Sequence, residues 1–294
     1  MYNQITANKR RTWALIIIFV AVVLGLGYLY DYLYGHGSGG LVFAAFISFF
    51  MALISYYKGD KLALAVSGAK QINKEQNAYL WRMIENLCIS QGMPMPHLHI
   101  IQDPAINAFA TGRDPKHASI AVTTGAIEKL ENEELEGVLA HELSHIKNYD
   151  IRIMTMVIVL VGIIALLSNW MLRAHLFGGR RDDRDRGLHP MLLVVGIVLM
   201  ILAPLIAQLI QFAVSRRREY LADASGALMT RFPEGLARAL EKIGRENRPL
   251  ARANEATAHL YIANPFGGTR KWLTTLFSTH PPIGDRIKVL RSMA

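Results

Sequence analysis

Four long apolar runs restrict what this chain can fold into more than any other feature: Trp13 to Tyr30, Leu41 to Tyr57, Ile153 to Leu172 and Met191 to Ser215. A membrane-spanning helix needs about 17–25 residues, which the first, third and fourth runs supply and the second supplies at the short end. One such run is compatible with the core helix of a soluble protein. Four in a chain of 294 residues, 52% hydrophobic and only 19% charged, are not, because too little polar chain remains to cover them. The first run follows Lys9, Arg10 and Arg11 in the manner of a secretory signal. Its apolar core is too long for one, and no small-residue cleavage site follows. Tyr28, Tyr30, Tyr32 and Tyr34 at its end read as an interfacial aromatic belt, so the run is expected to be an uncleaved anchor.

Lys/Arg asymmetry in the short flanks sets the expected orientation. Three basic residues precede the first run, residues 31–40 contain none, Lys58 and Lys61 follow the second run, and Arg216, Arg217 and Arg218 follow the fourth. The N-terminus and the polar blocks then face the cytoplasm. The stretch Arg173 to Pro190, with five arginines, disagrees with a fully crossing second hairpin, so that hairpin either crosses or dips in and returns. The net charge of +9 belongs to these membrane flanks, since no nucleic-acid-binding motif accompanies it. A single cysteine, Cys88, excludes an intramolecular disulfide and fits a reducing compartment.

The runs divide the chain into an N-terminal membrane hairpin (1–57), a polar block (58–150), a second hairpin (151–215) and a second polar block (216–294). The polar blocks are expected to pack as one cytoplasmic unit, discontinuous in sequence. In the first, a helix is expected over Lys74 to Gln91, then short strands at His97 to Ile101, Asn107 to Thr111 and Ala118 to Thr123, then a helix capped by Asn132. The second block reads as helices over Glu219 to Arg231, Pro233 to Glu246 and Ala251 to Ile262, with one more after Pro281-Pro282. The fold class expected is mainly α (α+β): four transmembrane helices and a cytoplasmic part with a small β-sheet.

The helix after Asn132 carries the chemistry. In His141-Glu-Leu-Ser-His145 the histidines are four residues apart, so on a helix their imidazoles converge on one point. Glu142 lies beside that point. Two imidazoles and an adjacent carboxylate form the H-E-x-x-H arrangement of zinc hydrolases: two ligands, and a base for the water that the ion activates. A third ligand is needed. The histidine of the H-E-x-x-H-x-x-G-x-x-H class is missing, because Asn148 and Ile151 occupy its Gly and His positions. The next glutamate in the chain is Glu219, and a membrane hairpin between the two would return it to the neighbourhood of His145. Asp223, one turn beyond Glu219, is positioned to hold a ligand histidine through its second ring N–H, with Asp150 and Asp223 as alternative third ligands. His141, His145, Asn148, Arg152 and Thr155 share one helical stripe, and Gln208, Gln211, Ser215 and Glu219 share another. They either line a wet cavity beside the bilayer or hydrogen-bond between helices.

With these residues assembled, the chain resembles the HtpX family of membrane-integrated zinc metalloproteases, relatives of the CAAX prenyl proteases. The resemblance rests on Asn107-Ala-Phe-Ala-Thr-Gly112, His141 to Asp150, Arg218-Glu-Tyr-Leu-Ala-Asp223, and His280-Pro-Pro282 with Arg286. It implies a gluzincin-like catalytic fold and a bacterial inner-membrane protease with a cytoplasmic active site, acting in membrane-protein quality control and stress response. The expected site is one Zn²⁺ per chain on His141, His145 and Glu219, with Glu142 as general base. His280 or Arg286 is the expected oxyanion donor, with His280 alternatively a structural helix-start residue. Asp223 and Asn148 are supporting residues, and Asn107 is either a contact for substrate backbone or a turn-stabilising asparagine. Expected partners are polypeptides, above all membrane proteins, and the lipid bilayer, with no nucleic acid. A transporter or metal sensor is the rival class, but its site would sit mid-bilayer between broken helices.

Overall fold

The computed structural model describes residues 2–34, 37–158, 216–254, 257–267 and 281–293. The expected third and fourth spans fall almost wholly outside the described residues, as do Gln208, Gln211, Ser215 and His280.

The first two apolar runs form helices α1 (Tyr2–Tyr34) and α2 (Gly39–Ser67), packed side by side. At their junction Asp31 accepts the Gly40 N–H at 2.7 Å and the Leu41 N–H at 2.8 Å, satisfying donors that the start of α2 leaves free. Gly68, at φ 69°, ends α2 in the left-handed conformation that favours glycine. Among the described residues, α2 is the one helix long and apolar enough to cross a membrane. Only 17% of its apolar window is buried in the protein, so it is not the core helix of a soluble domain. Val42, Phe43, Phe46, Phe49 and Phe50 instead point outward.

Beyond α2 the chain builds a four-stranded mixed sheet: β1 (Lys70–Gln71), β2 (His97–Ile101), β3 (Ala108–Gly112) and β4 (Ala118–Thr123). Their order is β1-β2-β4-β3, parallel between β2 and β4 and antiparallel elsewhere, which leaves β3 at an edge. Helix α3 (Ala78–Gln91) starts later than the expected Lys74, because the Asn77 side chain accepts the Leu80 N–H and caps it there. After β4 come α4 (Thr124–Lys129) and α5 (Asn132–Lys147). Glu131 takes the cap position expected of Asn132: Glu134 reaches back to its N–H at 2.9 Å, closing a capping box.

A further helix, α6, occupies 150–158. It is not a continuation of α5. Tyr149 at φ 61° breaks the helix, so the stripe from His141 to Thr155 is not a single face. Thr155 turns to the sheet, where it meets the Thr111 hydroxyl at 2.8 Å and accepts the Gly112 N–H at 3.0 Å. That places it in a packed interface and not in a wet cavity.

The second block supplies α7 (Arg216–Thr230), α8 (Pro233–Glu246) and α9 (Ile283–Arg291). The helix expected over Ala251 to Ile262 is not seen in its described residues, 251–254 and 257–262, which hold turns and a short 3₁₀ segment, Ala258–Leu260. Its backbone is committed to other partners. The Ala251 N–H binds Asp103, and the Ile262 N–H binds Ala108 O of β3. One core joins both polar blocks, with Leu98, Ile120, Leu139 and Leu143 from the first and Ala227, Leu236, Leu240 and Leu290 from the second.

Candidate active site

Helix α5 is buried almost throughout, from Glu134 to Ile146, so its polar side chains need partners inside the protein. Helix α7 crosses it closely. A Cβ at Gly226 would sit 3.0 Å from the His141 backbone nitrogen, so a bare glycine backs the first histidine. This approach brings Glu219, one turn from the start of α7, over the two histidines. His141, His145 and Glu219 are 1%, 4% and 1% exposed, and their ligand atoms lie within 4.8 Å of one another. His141 Nε2 is 3.1 Å from His145 Nε2 and 3.9 Å from Glu219, and His145 Nε2 is 3.6 Å from Glu219.

The other ring nitrogens fix the tautomers. His141 Nδ1 lies 3.0 Å from Asp223, and His145 Nδ1 lies 3.1 Å from Asp150. Each carboxylate takes an Nδ1 proton, which leaves both Nε2 atoms as lone-pair acceptors. Two lone pairs and a carboxylate then converge on one buried point, a set that a cation satisfies. The spacings suit it: tetrahedral zinc with bonds near 2.0–2.1 Å separates its ligands by about 3.3 Å. Two imidazoles with one carboxylate, and no thiolate, are a zinc-hydrolase donor set.

Arg286 is wholly buried behind the site. Its Nε and Nη2 donate to the two Asp223 oxygens at 2.8 and 2.6 Å, and its Nη1 donates to Ile262 O at 3.1 Å. Nη1 is also 3.7 Å from Glu219. Burial alone would raise Asp223, but the guanidinium outweighs it and holds the carboxyl down at about 2. Expected as an oxyanion donor, Arg286 is spent on Asp223 and the backbone. Glu142, 1% exposed, is pushed up to about 7, chiefly by burial, and the neighbouring charge of Glu219 adds to the rise. The backbone amide of Ala110, on edge strand β3, also acts on this carboxylate.

Asn107 precedes β3 with its side chain engaged: Nδ2 donates to Ala263 O at 3.2 Å, and Oδ1 accepts the Ala108 N–H. Asn148 caps α5, and its buried side-chain amide makes no hydrogen bond among the described residues. His280 lies outside them. Two contributors were not anticipated in these roles. Asp150 holds His145, and Asn8 of α1 donates to Asp150 at 2.7 Å and to Asn148 O at 2.9 Å. On an uninterrupted helix, Asp150 would sit five positions past His145, on the wrong face. The break at Tyr149 turns it back, and nothing in the local spacing announces that.

Comparison with known proteins places this geometry among relatives. The family model described as Peptidase family M48 matches residues 74–294. A "Protease HtpX homolog" of Dictyoglomus thermophilum is 44% identical over 99% of this chain and 94% of its own length. Proteins of the same description from Tropheryma whipplei and Thermoanaerobacter pseudethanolicus are each 45% identical, over 100% of this chain and 98% of theirs. The crystal structure of S. mikatae Ste24p superposes with a TM-score of 0.54 at 17% identity, covering 99% of this chain and 67% of that one, so it shares the fold.

Proposed function

Because the chain belongs to peptidase family M48, we propose that it cuts membrane and unfolded polypeptides at the cytoplasmic face of a bacterial inner membrane, as part of membrane-protein quality control and the stress response. Its activity class is that of a membrane-associated zinc metalloendopeptidase. One observation carries the reading: two histidine lone pairs and the Glu219 carboxylate converge in a buried site, with Glu142 adjacent and free to do something other than hold metal.

In this reading His141, His145 and Glu219 hold Zn²⁺, whose chemistry is to polarise the scissile carbonyl and acidify water. Glu142 takes the proton of the attacking water and delivers it to the leaving amine; a carboxyl pushed up toward neutrality suits both halves of that exchange. Asp223 and Asp150 keep the imidazoles in the tautomer that presents Nε2. Asn107, at the entry to edge strand β3, is the contact proposed for an extended substrate backbone. His280 remains the proposed donor to the developing oxyanion, given that Arg286 is engaged elsewhere.

The chain-wide reading is two hairpins, 1–57 and 151–215, and a catalytic unit of 58–150 with 216–294. The spans at Trp13 to Tyr30, Ile153 to Leu172 and Met191 to Ser215 join α2 to give four, with the termini inside. Support comes from the Lys/Arg flanks and from the outward aromatic face of α2.

Glu142→Gln tests the mechanism. Cleavage of casein by the detergent-purified chain should fall by several orders of magnitude while bound zinc stays near one per chain. Retained cleavage would falsify the assignment. Glu219→Ala should instead lose the zinc; unchanged metal content would move the third ligand to another carboxylate.

A further inference from the structure

Two hollows outside the active site share a wall. The first is an apolar groove of about 470 Å³ between α1 and α2, bounded by Trp13, Val20, Phe49, Ala52, Tyr56 and Tyr57. Trp13 and Phe49 are 62% and 60% exposed, so no described part of the chain covers this groove. The second is a polar recess of about 640 Å³ where α2 meets the sheet. It is walled by Tyr57, Lys58, Lys61, His99, Arg113 and His117, with Asp60 also on its edge. Tyr57 belongs to both. It marks the point along α2 where the apolar run ends and the basic flank begins.

The charges in the recess are only partly answered. Arg113 lies 3.7 Å from Asp114, and its guanidinium stacks 5.2 Å from the Tyr57 ring centroid. His117 also uses Asp114, at 2.8 Å. Lys58 and Lys61, one helical turn apart on α2, form no ion pair among the described residues. Asp60 alone does not balance them. A cationic recess and an apolar groove divided by one tyrosine ring ask for an occupant with an anionic head and a hydrocarbon tail.

We propose that this junction binds one anionic phospholipid, its phosphate held by Lys58, Lys61 and Arg113 and an acyl chain lying along the α1–α2 groove. The inference goes beyond the protease reading and rests on it only in taking the α1–α2 hairpin to lie in the bilayer. A basic flank at a helix end attracts acidic lipid in any case. What distinguishes a site from a flank is the walled recess with Arg113 contributed from just past β3, and the tail groove on the other side of Tyr57. A free phosphate would satisfy the recess and leave the groove unused.

Native mass spectrometry of the full-length chain in mild detergent distinguishes these cases, using dioleoyl phosphatidylglycerol, dioleoyl phosphatidylcholine and inorganic phosphate as probes. The expected result is one phosphatidylglycerol retained per chain in preference to phosphatidylcholine. Retention should drop roughly tenfold or more in Lys58→Gln/Lys61→Gln. It should also drop in Ala52→Trp, which fills the groove, and stay unchanged in Arg10→Gln, a basic flank residue away from the recess. Zinc content near one per chain checks that each variant is folded. Equal retention of the two lipids, or equal loss in the Arg10 variant, overturns the site. So does displacement of the lipid by inorganic phosphate with no effect of Ala52→Trp, which would identify a phosphate site instead. Alkaline carbonate extraction separates the premise from the proposal: a chain released from membranes refutes the bilayer reading, whereas one that stays embedded yet holds no lipid refutes this inference alone.

Discussion

Asp150 and Asn8 decide which lone pair His145 presents. The Asp150 carboxylate sits between the ring and the Asn8 amide, one oxygen on each, so the imidazole is held by a chain of hydrogen bonds that ends in helix α1. Partners of this kind govern metal affinity by roughly 10–100-fold when removed. Asp150→Ala is therefore expected to weaken zinc binding by that factor in competition with a chelator, and Asn8→Ala by less, since it leaves Asp150 in place. An Asn8 effect larger than that of Asp150 would mean that α1 acts by another route. Arg286 makes a sharper case. Its fork is occupied by both Asp223 oxygens, so Arg286→Lys keeps the charge but loses the paired geometry. The expected loss is in zinc affinity and in stability. Truncation to alanine, which strands a buried carboxylate, should cost about 3–5 kcal/mol in denaturant unfolding. Normal metal content and stability with only kcat reduced would restore the oxyanion role that the sequence had suggested.

At the scale of elements, the site depends on how closely α5 lets its neighbours approach. Gly226 backs His141, and Gly137 meets α8 so tightly that an added Cβ would come within 2.7 Å of the Leu236 nitrogen, a backbone atom unable to turn aside. Gly137→Ala should cost about 1–3 kcal/mol, read as a lowered midpoint in thermal or denaturant unfolding. A neutral result would show that α8 is free to slide. Elements whose signals are local were legible in the sequence: three of the four strands in the first block, the proline-started helix at Pro233, and the i, i+4 histidines. The two-residue strand Lys70–Gln71 is too short to carry a pattern. Those that failed did so for tertiary reasons. The stretch from Ala251 gave up a helix because Asp103 and Ala108 claim its backbone, and α5 stopped at Asn148 because the Tyr149 turn must deliver Asp150. Arg286 was visible as a motif residue, yet its partner lies 63 positions away, and charge alone gave no means of choosing between substrate and Asp223.

Over the whole molecule, zinc ties together two polar blocks that the sequence separates by a membrane-length stretch. Two outcomes of removing it are physically possible. In small metal domains the ion supplies most of the folding energy, and chelation unfolds the chain. Here α5, α7, α8 and α9 already share an apolar core through Leu139, Leu143, Ala227, Leu236, Leu240 and Leu290, and that core involves none of the ligands. The metal therefore adds to a fold that stands without it. The addition grows as the logarithm of free zinc over its dissociation constant, about 4 kcal/mol at a thousandfold excess. Stripping zinc with a chelator should lower the unfolding temperature measurably and abolish cleavage, with the far-ultraviolet helical signal kept at room temperature and both losses reversed by added Zn²⁺. Collapse of the helical signal on chelation would mean that the shared core is insufficient and that the ion is the true bond between the blocks.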